Sequence, residues 1–203
     1  MERIQFYFNP KSRARIVHWA LEEVGAEYDL HTLDWERREQ KSPEFLKINP
    51  MGKLPTIVDR GVVVTESAAI CAYLADAYPE RGLAPSTDDP KRGAYYRWMF
   101  FSASCIEQAI TDAHFPRSKE VPPSTLGYGT MEDLVSTLKQ ALSDENYLLG
   151  ESFTMADLLL CTQLHWGMLF KGIQEDKSFQ DYVAKCQDRP SFKRHLDKIG
   201  PMG

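Results

Sequence analysis

Two stretches of this sequence bring groups with binding chemistry close together: Asn49-Pro50-Met51-Gly52-Lys53-Leu54-Pro55-Thr56-Ile57-Val58 and Val64-Thr65-Glu66-Ser67-Ala68-Ala69-Ile70. The first reads as a loop entering a proline-led strand, the second as a short strand running into a capped helix. That order sets one prolyl bond and one helix N-terminus near each other. Main-chain N–H groups at a helix start attract anions, and extended backbone pairs with another extended chain. A small peptide-like ligand suits both. Metal chemistry is not indicated. His18, His31, His114, His165 and His195 lack ligand spacing with cysteines or acids, and Asp88-Asp89 belongs to a linker.

The elements that carry these stretches follow from periodicity. Ile4, Phe6 and Phe8 alternate with Gln5 and Tyr7, so residues 2–8 read as a strand. Asn9-Pro10 breaks it. From about Ser12, Ile16, Val17, Ala20, Leu21 and Val24 recur at helical spacing until Gly25. A second strand is expected over 28–33. Ser42-Pro43-Glu44 supplies a cap, a proline at the first helical position and an early acid for a short helix through Ile48. Thr56–Asp59 and Val62–Val64, split by Arg60-Gly61, form a hairpin. Ser67 then opens a helix that runs to about Tyr78.

The order is β-α-β-α-β-β-α, followed by the Pro- and Asp-rich residues 82–90, a linker. Beyond it helical patterns run over about 90–113, 129–143, 154–170, 176–186 and 190–198, with a loop over 116–129. The expected domains are 1–81, linker 82–90, and an all-helical 91–203: a small α+β domain followed by an all-α one.

Composition excludes several classes. A chain of 203 residues with 43% hydrophobic and 26% charged residues buries an adequate core without a staple. The net charge of −5 argues against a general nucleic-acid binder. Cys71, Cys105, Cys161 and Cys186 lie far apart without a Cys-x-x-Cys pair, which suits a reducing compartment. No stretch approaches a membrane span and no export signal opens the chain, so a cytoplasmic protein without membrane attachment is expected.

The NPMGKLP loop, the VTESAAICAYL helix start and this order of elements closely resemble the glutathione S-transferase family. Tyr7-Phe8-Asn9-Pro10-Lys11-Ser12-Arg13-Ala14-Arg15, Leu21-Glu22-Glu23-Val24-Gly25 and Gly150-Glu151-Ser152-Phe153-Thr154-Met155-Ala156-Asp157 fit as well. The resemblance covers essentially the whole chain, and the best match is the bacterial and fungal branch with xPxSRxxR at the first helix. It implies a thioredoxin-like N-terminal domain that binds glutathione and a helical domain with a hydrophobic co-substrate pocket. It also implies a homodimer, a role in detoxification and no metal. Such an enzyme conjugates glutathione to small hydrophobic electrophiles or uses it to reduce peroxides. The alternative is a binding or interaction module of the same fold without catalysis.

Attack by the glutathione sulfur requires the thiolate, and a free thiol has a pKa of about 8.5. Lowering it by about two units takes roughly 2.7 kcal/mol. One charge-assisted hydrogen bond supplies about 1.5–3 kcal/mol, and a helix N-terminus adds about 0.3–1 kcal/mol. One hydroxyl at the first strand–helix junction therefore suffices. By resemblance Ser12 is the preferred donor. Tyr7 is the competitor, with Arg13 as its arginine, and Asn9 is a third candidate. Ser12 also reads as an ordinary N-cap, and Tyr7 as a strand residue packed under a helix. The resemblance further implies a cis Leu54-Pro55 bond, with the Leu54 main chain pairing with the cysteinyl backbone. Ser67 and the adjacent amides would hold the γ-glutamyl carboxylate and Glu66 the ammonium, the alternative being a plain capping pair. Lys53 would reach the glycyl end or the nearby backbone, the alternative being a solvated lysine. Arg37, Arg38, Gln40 and Lys41 read as a solvated face. Thr154 and Asp157 read as a structural cap with Phe153 as its staple.

Overall fold

The computed structural model describes residues 3–144 and 147–201. Packing divides the chain into two units. One takes the chain up to Arg81 and returns for the segment from Arg189; the other is Gly82–Asp188.

The first unit is built on a four-stranded sheet. Strand β1 (Ile4–Phe8) alternates as its residues dictate: Ile4, Phe6 and Phe8 are buried, and Gln5 and Tyr7 lie on the opposite, half-covered face. Glu2, the expected first residue of this strand, lies outside the described residues. Helix α1 (Ala14–Val24) ends where Gly25 turns left-handed at φ 67°. It returns the chain to β2 (Tyr28–Thr32), parallel to β1 with Ile4 opposite Tyr28. Helix α2 (Pro43–Ile48) starts at Ser42, whose hydroxyl accepts the Phe45 N–H. Strands β3 (Thr56–Asp59) and β4 (Val62–Thr65) form a hairpin; Arg60 (φ 49°) and Gly61 (φ 77°) both sit at positive φ, as a two-residue turn with matching twist requires. Helix α3 (Ser67–Ala77) follows directly. The sheet order is β2-β1-β3-β4, with only the β1–β2 pair parallel. This is the thioredoxin-like arrangement. Phe6, Ile57, Val17, Leu21, Ile70 and Leu74 form its core.

The second unit is helical. Helices α4 (Lys91–Phe100) and α5 (Glu107–His114) occupy the region read from sequence as one helix. Between them residues Phe101–Ile106 wind as a π-helix. The Ser104 hydroxyl donates to the Phe100 carbonyl at 2.7 Å, an acceptor that α-winding reserves for the Ser104 N–H. Helix α6 (Met131–Ala141) starts with a reciprocal Thr130–Asp133 cap. Helix α7 (Met155–Leu169) is buried on every side in its first turns, and α8 (Lys177–Gln187) packs on it.

The last helix, α9 (Pro190–Ile199), packs on α1 and so belongs with the first unit, whereas the sequence reading placed it in the helical domain. Two ion pairs and a hydrogen bond to the main chain account for this. Arg189 grips Glu23 at 2.6 Å, Lys198 reaches Glu22 at 2.5 Å, and Arg15 donates to the Gly200 carbonyl at 2.5 Å. Among the described residues no helix is long and apolar enough to cross a membrane.

Candidate functional site

The sheet register gathers the candidate residues at one end of the first unit. Tyr7 pairs with Thr56 and Thr56 with Thr65. The exit of β1, the entry to β3 and the exit of β4 are therefore neighbours. Asn9–Arg13, Leu54-Pro55 and Glu66-Ser67 extend from these three points. Phe8 pairs with Thr32, which adds the loop after β2.

At the β1–α1 junction Asn9 fixes the turn. Its amide donates to the Leu33 carbonyl at 2.9 Å, and its side-chain oxygen accepts the Lys11 N–H at 2.8 Å. Ser12 is buried, with its hydroxyl donating to the Asn9 carbonyl at 2.7 Å and accepting the Ala14 N–H at 3.1 Å. This is the capping geometry; turning the O–H toward a ligand exchanges one acceptor for another. Arg13 is exposed at the helix start. Tyr7 is placed differently. Its ring stacks on His31 (centroids 4.9 Å apart, planes 21°) and leans on Phe45 of α2 at 5.3 Å. That is the packing of a strand residue beneath a helix.

A groove of about 510 Å³ opens beside this junction, lined by Asn9, Pro10, Lys11, Asp34, Trp35 and Glu36. Trp35, 39% exposed, was not singled out by the sequence reading. Its only signal there is an aromatic residue inside a charged turn.

The Leu54-Pro55 bond is cis. Lys53 is exposed, and the main-chain groups of Leu54 make no hydrogen bond among the described residues. Gly52 is a required glycine. It has φ 58°, and a Cβ there would lie 2.5 Å from the Gln40 carbonyl oxygen and 2.8 Å from the Lys41 side chain. Lys41, read from sequence as solvated, donates to the Met51 carbonyl at 2.6 Å. Gly52→Ala is expected to lower stability by about 2 kcal/mol, visible as a lower thermal midpoint; an unchanged midpoint contradicts the contact.

Helix α3 begins with Glu66 at φ 67° and ψ 123°, with no side-chain cap. A non-glycine residue at such φ marks a backbone held by its surroundings, a feature common at binding sites. The first intrahelical bond runs from the Ile70 N–H to the Glu66 carbonyl. The Ser67, Ala68 and Ala69 amides before it have no acceptor among the described residues, which leaves a small anion cradle. Among the described residues no group of three potential metal ligands occurs.

Comparison with known proteins agrees with this geometry. The family model for the glutathione S-transferase N-terminal domain matches residues 3–76. Glutathione S-transferase GstA of Escherichia coli O157:H7 is 27% identical over 203 residues, which covers 97% of this chain and 99% of that protein. A glutathione transferase from Methylococcus capsulatus str. Bath is 27% identical and has a TM-score of 0.80, over 97% of this chain and 98% of that one. A sphingomonad glutathione S-transferase, solved in complex with glutathione, is 26% identical with a TM-score of 0.78, over 98% of this chain and 100% of that one. With the fold shared, the loop and helix-start motifs in order and the overlap nearly end to end, residues 3–76 match the N-terminal domain of the glutathione S-transferases, and the chain as a whole is similar to members of that family.

Proposed function

We propose that this protein is a glutathione transferase that activates the glutathione thiolate for attack on small hydrophobic electrophiles. One observation supports the reading: the sheet register brings to one end of the first unit the main chain at Leu54-Pro55 and the helix start at Ser67, both without a partner among the described residues, and the β1–α1 junction that carries Ser12. In this reading the Leu54 main chain pairs with the cysteinyl backbone, and Ser67 with its neighbouring amides holds the γ-glutamyl carboxylate. Glu66 receives the ammonium and Lys53 the glycyl carboxylate. Residues 1–81 form the glutathione domain, 82–90 the linker, and the helical region supplies the co-substrate pocket. A cytoplasmic homodimer follows from the same reading. Glutathione-dependent peroxide reduction is a second use of the same thiolate.

Ser12 is the sulfur's hydrogen-bond donor in this proposal. Tyr7, whose ring is stacked on His31, is a packing residue, and Arg13 supports the junction electrostatically. Retention on immobilised glutathione together with turnover of a chlorinated nitroaromatic tests the whole. The absence of both retention and turnover would remove it. Retention without turnover would favour the non-catalytic module, for which the capping engagement of Ser12 is the supporting observation. Ser12→Ala is expected to reduce turnover by about tenfold to a hundredfold, the worth of one charge-assisted bond, while Tyr7→Phe stays near wild type. The reverse result would transfer the role to Tyr7.

A further inference from the structure

Asn49, only 4% exposed, has its side chain wholly engaged within the loop that ends in Leu54-Pro55. Its oxygen accepts the Met51 N–H at 3.1 Å. Its nitrogen donates to the Lys53 carbonyl at 2.9 Å and to the Thr56 hydroxyl oxygen at 3.0 Å. Because a main-chain N–H faces one end of the amide and a carbonyl the other, the network fixes which atom is nitrogen. Thr56, fully buried, donates its own proton to the same Lys53 carbonyl at 3.2 Å. The Asn49 backbone closes α2 through the Phe45 carbonyl and accepts the Gly52 N–H, each at 2.8 Å.

The Lys53 carbonyl thus receives two side-chain hydrogen bonds from the protein interior. Its peptide bond to Leu54 is trans, since the cis bond found is the next one. In a trans peptide unit the C=O and the N–H point in opposite directions. Holding the Lys53 oxygen inward therefore aims the Leu54 N–H outward, where it has no acceptor among the described residues. Rotation of that plane about its two flanking soft dihedrals would swing the donor away. A ligand then has to select the presenting orientation from several, which weakens apparent affinity.

We propose that Asn49 and Thr56 are positioning residues: they lock the Lys53–Leu54 peptide plane so that the Leu54 amide is a preset donor to a carbonyl of the glutathione backbone. This rests on the reading that glutathione pairs with the Leu54 edge. Neither side chain touches the ligand, and neither acts on the sulfur. The lock therefore governs affinity and leaves the chemical step alone.

The test is titration calorimetry with glutathione and steady-state kinetics on Thr56→Val, Thr56→Ser and Asn49→Ala. Thr56→Val and Asn49→Ala are expected to raise Kd and KM for glutathione by about tenfold to a hundredfold, the range for one or two lost hydrogen bonds. At saturating glutathione kcat should stay within about threefold, and the pH midpoint of kcat should not move, because transition-state interactions are untouched. Thr56→Ser keeps the hydroxyl and should restore wild-type affinity. If Asn49→Ala does not fold, the Thr56 pair decides. Wild-type affinity in Thr56→Val, or equal loss in Thr56→Val and Thr56→Ser, overturns the lock. So does a fall of kcat in step with affinity, which would signal general structural damage. If the wild-type protein itself does not bind glutathione, the functional reading falls and takes the lock with it; binding by wild type with unaltered variants removes the lock alone.

Discussion

Asp157→Ala is expected to destabilise the helical unit by about 4–5 kcal/mol, a loss built from several orphaned donors. The Asp157 side chain is fully buried in the first turn of α7. One oxygen accepts the Leu148 N–H at 2.8 Å and the Tyr182 hydroxyl at 2.7 Å. The other accepts the Thr154 N–H and the Thr154 hydroxyl, both at 2.8 Å. Burial pushes this carboxyl's pKa up, and the four donors pull it part of the way back. The carboxylate thus ties together the residues before α7, the α7 start and α8. Each buried donor left without an acceptor costs about 1–3 kcal/mol before relaxation, and the favourable charge at the helix N-terminus is lost too. Asp157→Asn keeps one acceptor and should lose roughly half as much. In thermal denaturation the alanine variant should melt more than about 10 °C below wild type, at about 2–4 °C per kcal/mol for a chain of this size. A midpoint within about 2 °C of wild type would show that the cap is incidental.

That cap was legible in the sequence because its logic is local: a threonine, an aspartate three residues on and an apolar run. The same holds for Ser42-Pro43 before α2, for Arg60-Gly61 in the hairpin turn and for Gly25 after α1. In each case a residue's own conformational preference or side-chain reach decides the geometry. Alternation in β1 also put Tyr7 opposite Phe6 and Phe8. It did not reveal that His31 and Phe45 would take up the tyrosine ring, since those contacts come from β2 and α2. The attachment of α9 to α1 was illegible for the same reason. Glu22 and Glu23 look like helix-surface acids until Arg189, Arg194 and Lys198 arrive from the far end of the chain. The loop motif named the edge at Leu54-Pro55; the inward carbonyl beneath it appears only with coordinates. Histidine spacing was silent on the contact that joins His18 to His195.

Acidification from pH 7 to pH 5 is expected to remove about 3–4 kcal/mol of folding stability through that histidine pair. The His18 and His195 rings meet Nδ1 to Nδ1 at 2.9 Å, with 1% and 4% of these residues exposed. The Tyr28 hydroxyl donates to Glu22 at 2.8 Å, so at its 3.0 Å contact with His18 it accepts from Nε2–H. Neutral His18 then has a bare Nδ1, and His195 supplies the single hydrogen between the rings. A proton added at His18 Nδ1 would set two hydrogens face to face. Burial depresses both groups: His18 to about 4, with Glu22 opposing and Lys198 and Arg15 assisting, and His195 to about 3, with His18 and Arg15 assisting. The unfolded chain binds protons at both sites below about pH 6.5 while the native chain does not. Stability is therefore complete above that value and declines as the pH falls, by up to about 2.7 kcal/mol per unit with two protons taken up. His114, raised by the Ile110 and Phe170 carbonyls, acts with the opposite sign but is exposed and contributes little. His195→Gln keeps a donor for His18 and removes one titration, so its slope should be about half that of wild type. Urea unfolding of wild type and His195→Gln at pH 7.5, 6.0 and 5.0 isolates the effect in their difference, because the carboxyls, including Asp157 with its raised pKa, are common to both. An equal difference at the three values would mean that the pair is charged in the fold or that α9 is not seated on α1, and either result contradicts the hydrogen bond from which the slope is derived.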